Sequence, residues 1–165
     1  MSKAFTKEDD DSAKLRLDDL PQSLHPNLVT IEGLADLENR QSGLMRELAD
    51  LRTSAESVEG RQAVAVAERD LRYIAARLAR AVLVDPKNHA PDVVTFGAEV
   101  EILTDDDDSQ IFRIVGEDEA DPKRGLIAPY SPLGRAIMGA QLGSIVEWRK
   151  PAGSVEIEII AIRYR

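Results

Sequence analysis

Two stretches of near-equal length carry the same apolar rhythm, and the segment between them is long enough only for a reversal. Leu34, Leu37, Gln41, Leu44, Leu48 and Leu51 step by 3, 4, 3, 4, 3. That is the seam of a coiled-coil helix with one polar interruption at Gln41. Val64, Ala67, Leu71, Ile74, Leu78 and Ala81 repeat the same steps, and the small Ala67 and Ala81 let facing leucines approach. Ser54 to Gly60 has the small, polar, glycine-bearing composition of a turn. The pair reads as an antiparallel hairpin over 29–85. Two helices of about 23 residues make an arm about 35 Å long. Thr30 is placed to cap the first helix, and Asp85-Pro86 to end the second. An arm of that length projects from a chain of 165 residues or pairs with another surface.

Flanking this hairpin, residues 1–28 read as a disordered acidic tail, with Glu8-Asp9-Asp10-Asp11, a few leucines and the breakers Pro21 and Pro26. Residues 86–92 read as a linker. From residue 93 the period changes to two. Val94, Phe96, Ala98, Val100 and Ile102 alternate with polar neighbours and are interrupted at Gly97. Further strands are expected over Ile111 to Gly116, Gly125 to Ala128, Ile145 to Arg149 and Val155 to Tyr164. Ser131-Pro132 opens a short helix that Gly139 closes. Five strands and one helix in 93–165 give a curled antiparallel sheet folded over that helix, and the whole is an α+β chain.

Composition narrows the functional classes. The chain has no cysteine, which removes disulfides, thiolate metal sites and cysteine nucleophiles. Its net charge of −9 disfavours free nucleic acid as a stand-alone ligand. No apolar run approaches a membrane span and no signal peptide opens the sequence, so the cytoplasm is the expected location. No glycine-rich phosphate loop and no serine–histidine–acid arrangement is present, and the chain reads as a binding protein, not an enzyme. The Asp105 to Asp108 run lacks the glycine and distal glutamate of a calcium loop and reads as a solvated turn.

The C-terminal part carries more specific letters. Phe96-Gly97-Ala98, Arg113-Ile114-Val115-Gly116-Glu117-Asp118-Glu119-Ala120-Asp121, Ser131-Pro132-Leu133-Gly134-Arg135-Ala136-Ile137-Met138-Gly139, Leu142-Gly143, Pro151-Ala152-Gly153 and Tyr164 resemble, in order and spacing, the C-terminal domain of the bacterial transcript-cleavage factors GreA and GreB. Val29-Thr30 with Gly33-Leu34 resembles the family's first-helix opening. The resemblance implies an FKBP-like C-terminal domain, an N-terminal coiled coil, and bacterial RNA polymerase as partner. In the family the sheet domain grips the rim of the polymerase secondary channel, and the coiled coil carries acids inward to a magnesium ion at the active centre.

That resemblance assigns Asp118, Glu119, Asp121, Pro132 and Arg135 to a polymerase-docking patch. Arg69, Arg72 and Arg80 become a basic stripe facing RNA, against the simpler reading of a solvated face paired with acids such as Glu47 and Asp50. At the turn, Glu56 and Glu59 keep the spacing of two carboxylates that could share one Mg2+ with the partner. The chain has no cofactor of its own on this reading. It lacks the family's Asn-Ala-x-Tyr run at the tip, and its arm is shorter by roughly two helical turns, about 10 Å. The arm thus belongs to a short variant that either aids cleavage of backtracked RNA or competes without cleavage. The alternative is a coiled-coil interaction module acting on another target. A monomer is expected.

Overall fold

The computed structural model describes residues 15–85 and 89–164. Helix α1 spans Ile31–Thr53 and α2 spans Val58–Ala79. The two pack along each other as the expected antiparallel hairpin, and 22 residues give an arm of about 33 Å. Thr30 caps α1, its Oγ1 accepting from Gly33 N at 2.9 Å. Ser57 caps α2 in the same way through Gly60 N. Within the seam Leu37, Leu48, Ala67 and Ile74 are buried, whereas Leu34, Leu44, Leu51 and Leu71 are half-buried.

Two boundaries differ from the sequence reading. Helix α2 ends at Ala79, not at Asp85-Pro86. Arg80 closes it, and Ala81–Leu83 forms strand β2. This strand pairs in parallel with β1, Asn27–Val29, so Asn27 faces Ala81 and Val29 faces Leu83. Ala81 therefore belongs to a strand and not to the helical seam. Residues 15–28, read as part of a mobile tail, lie against α2 and then form β1. The acidic run at 8–11 and the linker prolyl bond at 85–86 fall at or beyond the edge of the described residues.

The second unit is a five-stranded sheet in the order β5-β4-β3-β7-β6. Its strands are β3 Glu99–Thr104, β4 Ser109–Ile114, β5 Leu126–Ile127, β6 Ile145–Lys150 and β7 Gly153–Arg163. Helix α3, Pro132–Ile137, packs beside β6. The sheet is mixed: β5 runs parallel to β4 because the chain returns through a single 3-10 turn, Pro122–Arg124, before pairing. The alternation over Val94 to Ala98 marks core residues but not a strand. Gly97 adopts φ +88°, a left-handed conformation that interrupts an extended strand. Gly97 N instead donates to Ile114 O, and Ile114 N to Ala98 O. Tyr164 anchors this irregular stretch, with its hydroxyl donating to Val93 O and accepting from Thr95 N.

Val94, Phe96, Val100, Ile102, Ile114 and Ile159 are fully or nearly fully buried in one aliphatic core, which Leu133 and Ile137 of α3 complete. Leu28 and Val84, from the base of the hairpin, pack on that same core. The two units therefore share buried surface.

Their closest approach explains a glycine in the first helical turn. A Cβ on Gly33 would lie 2.1 Å from Glu119 Oε2, so only glycine admits the carboxylate there. Gly43, in the same helix, has nothing within 4 Å of such a Cβ. Opposite outcomes follow for the same substitution. Gly33→Ala should destabilise by about 1–3 kcal/mol, because the Glu119 carboxylate must move aside and give up its bonds to Thr30 Oγ1 and Gly116 N. Gly43→Ala should stabilise by about 0.5–1 kcal/mol through helix propensity. Urea unfolding of the two variants measures both.

Candidate functional site

Among the described residues Arg77 is the largest of the fully buried side chains, 1% exposed. It sits near the end of α2 and crosses to the loop after β4. Its Nε donates to Asp118 Oδ2 at 2.7 Å, and its Nη2 approaches Glu117 Oε2 at 3.4 Å. Nη2 also donates to Asn27 Oδ1, while Asn27 Nδ2 donates back to Arg77 O at 2.8 Å. A guanidinium removed from water needs such partners for its donors, and this one draws them from α2's neighbour strand and from the acidic loop together. Neither the apolar seam nor the basic stripe includes position 77. The signal that could have found it is a cation one turn after Ile74, on the inward side of the helix, in a chain whose other half carries three clustered acids.

Glu119 forms the second tie. Its Oε1 accepts from Thr30 Oγ1 at 2.5 Å, and its Oε2 from Gly116 N at 3.0 Å and Thr30 N at 3.4 Å. The carboxylate thus lies at the N-terminus of α1, where the helix dipole favours negative charge. Glu32 makes a third, looser tie to Arg113 of β4 at 3.6 Å. The Glu32 carboxyl is held below the ordinary glutamate range, first by a hydrogen bond from its own backbone N–H and further by Arg113.

The residues expected to dock a partner therefore divide. Asp118 and Glu119 turn inward and hold the hairpin. Asp121 caps the 3-10 turn, its Oδ1 accepting from Lys123 N at 3.2 Å. Pro132 and Arg135 lie exposed on α3, with Ser131 Oγ capping that helix through Gly134 N. Only Pro132 and Arg135 present outward surface free of these internal duties.

At the far end of the rod, Glu56 lies in the turn and Glu59 in the first turn of α2, both exposed. The Glu56 backbone carbonyl accepts from Arg61 Nη1 at 2.9 Å, which fixes the turn without engaging the carboxylate. Val58 stands exposed between them. Two carboxylates supply at most four of the six oxygens of a Mg2+ shell, so water or a partner's groups would have to complete it. Among the described residues no group of three or more His, Cys, Asp or Glu could hold a metal ion, and no helix is long and apolar enough to cross a membrane.

The stripe arginines are all engaged. Arg69 donates through Nε and Nη2 to Asp70 Oδ1 at 2.9 and 2.7 Å. Arg72 Nε donates to Asp19 Oδ1 at 2.5 Å and its Nη2 to Leu17 O at 2.8 Å. Arg80 donates to Ser23 O at 3.0 Å and to His25 O at 3.2 Å. Pairing does occur, but with Asp70 and the N-terminal segment in place of Glu47 and Asp50.

Known proteins resemble the chain over most of its length. Residues 88–164 match the family described as transcription elongation factor, GreA/GreB, C-term. Over 120 residues the chain is 40% identical to the transcription elongation factor GreA of Nautilia profundicola, covering 72% of this chain and 74% of that protein. It is 32% identical to the GreB of Yersinia pestis over 153 residues, covering 84% of this chain and 90% of that one. A solved GreA/GreB structure from Nitrosomonas europaea aligns at 25% identity and a TM-score of 0.42, over 83% of this chain and 98% of the other.

Two measurements check the ties. Arg77→Met should cost about 3 kcal/mol, because it leaves the buried Asn27 and the half-buried Asp118 without their partner; chemical denaturation reads it. For Glu32, a lowered native value means that its contribution is present above the unfolded glutamate pKa and is lost as pH falls through the native one. Glu32→Gln should therefore flatten the acid limb of the stability profile while leaving the neutral limb's slope unchanged.

Proposed function

The chain belongs to the GreA/GreB transcription elongation factor family, and from that membership we propose that it binds bacterial RNA polymerase at the secondary channel and competes there with longer-armed members without itself stimulating RNA cleavage. The observation that carries this reading is mechanical. A rod of about 33 Å is clamped at its base by Arg77 and Glu119 to a sheet domain able to anchor it. The exposed carboxylates in the turn at the rod's free end are those of Glu56 and Glu59. A carboxylate acts on a metal only at ligand distance, about 2 Å. A short arm fills a channel more readily than it completes a metal site at its end.

On this reading the protein acts in the cytoplasm as a binding factor, and any bond cleavage belongs to the polymerase. Pro132 and Arg135 supply outward docking surface on α3. Asp118 and Glu119 serve docking indirectly, by fixing the angle at which the rod leaves the sheet domain.

The exposed pair at the tip favours a second reading, cleavage stimulation. Glu56 and Glu59 would hold one edge of a Mg2+ completed by polymerase carboxylates, and that ion would supply an activated water for hydrolysis. The residues' own part is to position two negative oxygens at the end of a stiff arm.

Backtracked elongation complexes separate the two. Adding the protein should leave the RNA at its intrinsic cleavage rate and should slow shortening by a longer-armed factor in proportion to its concentration. Glu56→Ala with Glu59→Ala should change polymerase affinity by no more than about twofold, the scale of a neutral surface change. RNA shortening that this double variant abolishes would establish the second reading. Failure to bind core polymerase would remove both.

A further inference from the structure

The segment from Leu17 to His25 crosses α2 toward the tip as its numbering falls. His25 O and Ser23 O meet Arg80, Gln22 Nε2 reaches Tyr73 O at 3.4 Å, and Asp19 and Leu17 meet Arg72. Leu20 is half-buried in a crevice it shares with Arg40, Gly43, Leu44, Tyr73 and Ile74. The base of the segment is fastened to the sheet domain, where Ser23 Oγ donates to Glu117 Oε1 at 2.9 Å and His25 stacks on Tyr130 at 4.0 Å. Toward the tip the polar anchors among the described residues are those to Arg72, and Asp19 is largely exposed.

The pattern of these contacts identifies the ligand class. Of the acceptors on Arg72 and Arg80, three are backbone carbonyls and one is a carboxylate. An apolar side chain, Leu20, forms one wall of the crevice beside them. Carbonyls at successive points along an extended chain, one acid, and one leucine are the features of a peptide. A phosphate backbone offers neither the carbonyl spacing nor the aliphatic side chain, and bases would seek ring surfaces for stacking, of which this crevice has only Tyr73.

We propose that the Arg72–Arg80 face of α2 is a binding surface for an extended acidic peptide with a leucine one residue after an aspartate, and that residues 17–25 occupy it in cis as a displaceable cover. An equivalent segment of a partner protein engages the face only by displacing this cover. The surface is independent of the tip acids and of the docking residues on α3.

The consequence is a measurable competition. A tethered segment acts at an effective concentration of about millimolar, so a cover that is seated requires the same peptide to bind in trans with a Kd below about 1 mM. The probe is a fluorescent peptide of residues 15–26, followed by anisotropy against the full chain. Asp19→Lys with Leu20→Asp opens the cover while leaving both arginines in place. This variant should bind the peptide saturably and about tenfold more tightly than the unaltered chain does, the factor by which a cover at about 1 mM effective concentration competes with a peptide of Kd about 0.1 mM. Arg72→Glu with Arg80→Glu should abolish the binding. In the unaltered chain, amides of residues 17–23 should exchange faster than those of α2, and faster again with excess peptide. This readout is independent of the opened variant's folding. No saturable binding to the opened variant, or exchange at 17–23 indifferent to peptide, overturns the proposal. Binding of a single-stranded RNA oligonucleotide that the peptide does not displace overturns it in favour of nucleic acid. Polymerase is absent from every arm, so failure here is distinct from failure of the channel reading.

Discussion

A single buried guanidinium sets the geometry on which everything else depends. Arg77 reaches its partners only if β1 lies beside the end of α2 and the acidic loop lies beneath it. Removing a charge from water is costly unless its donors are satisfied, so arrangements that separate the hairpin from the sheet leave either the cation or the acids uncompensated. Glu119 adds direction. It is held at once by the first turn of α1 and by Gly116 of the sheet domain, which fixes where the helix begins as well as where it lies. The shared apolar contacts of Leu28 and Val84 supply area; the polar ties supply angle.

Much of this was legible in the residues. The 3-4 steps located both helices and their antiparallel pairing, because burial along a helix repeats at that period. Ser131-Pro132 marked the start of α3, and Thr30 the start of α1, since capping chemistry is local. The paired strands β1 and β2 were not legible: three residues on each side are too few for an alternation to emerge, and a parallel pair of that length depends on the helices that bring its strands together. Arg77 was hidden for the opposite reason. Arginine on a helix is ordinarily solvated, and only the fold brings the acids of the 117–119 loop within its reach.

The acidic loop shows how a family motif can be read too far outward. Its letters suggested a contact surface, yet Asp118 and Glu119 are consumed at the joint, and Asp121 caps a turn. The basic stripe meets internal partners as well. Its arginines do face outward from the hairpin, but the chain itself lies over two of them. In both cases the chain itself supplies polar partners to these residues.

A rod fixed at one end behaves as a lever. Any sideways load at the Glu56–Glu59 turn is delivered to the joint multiplied by the length of the arm, and it falls there on the polar contacts of Arg77 and Glu119 and on the packing of Leu28 and Val84. Helices resist bending over such a distance better than those contacts resist shear. Steric push at the free end would thus be felt first as a swivel between rod and sheet, not as a bend in the rod, and the stiffness of Arg77's pocket decides how faithfully one end reports the position of the other.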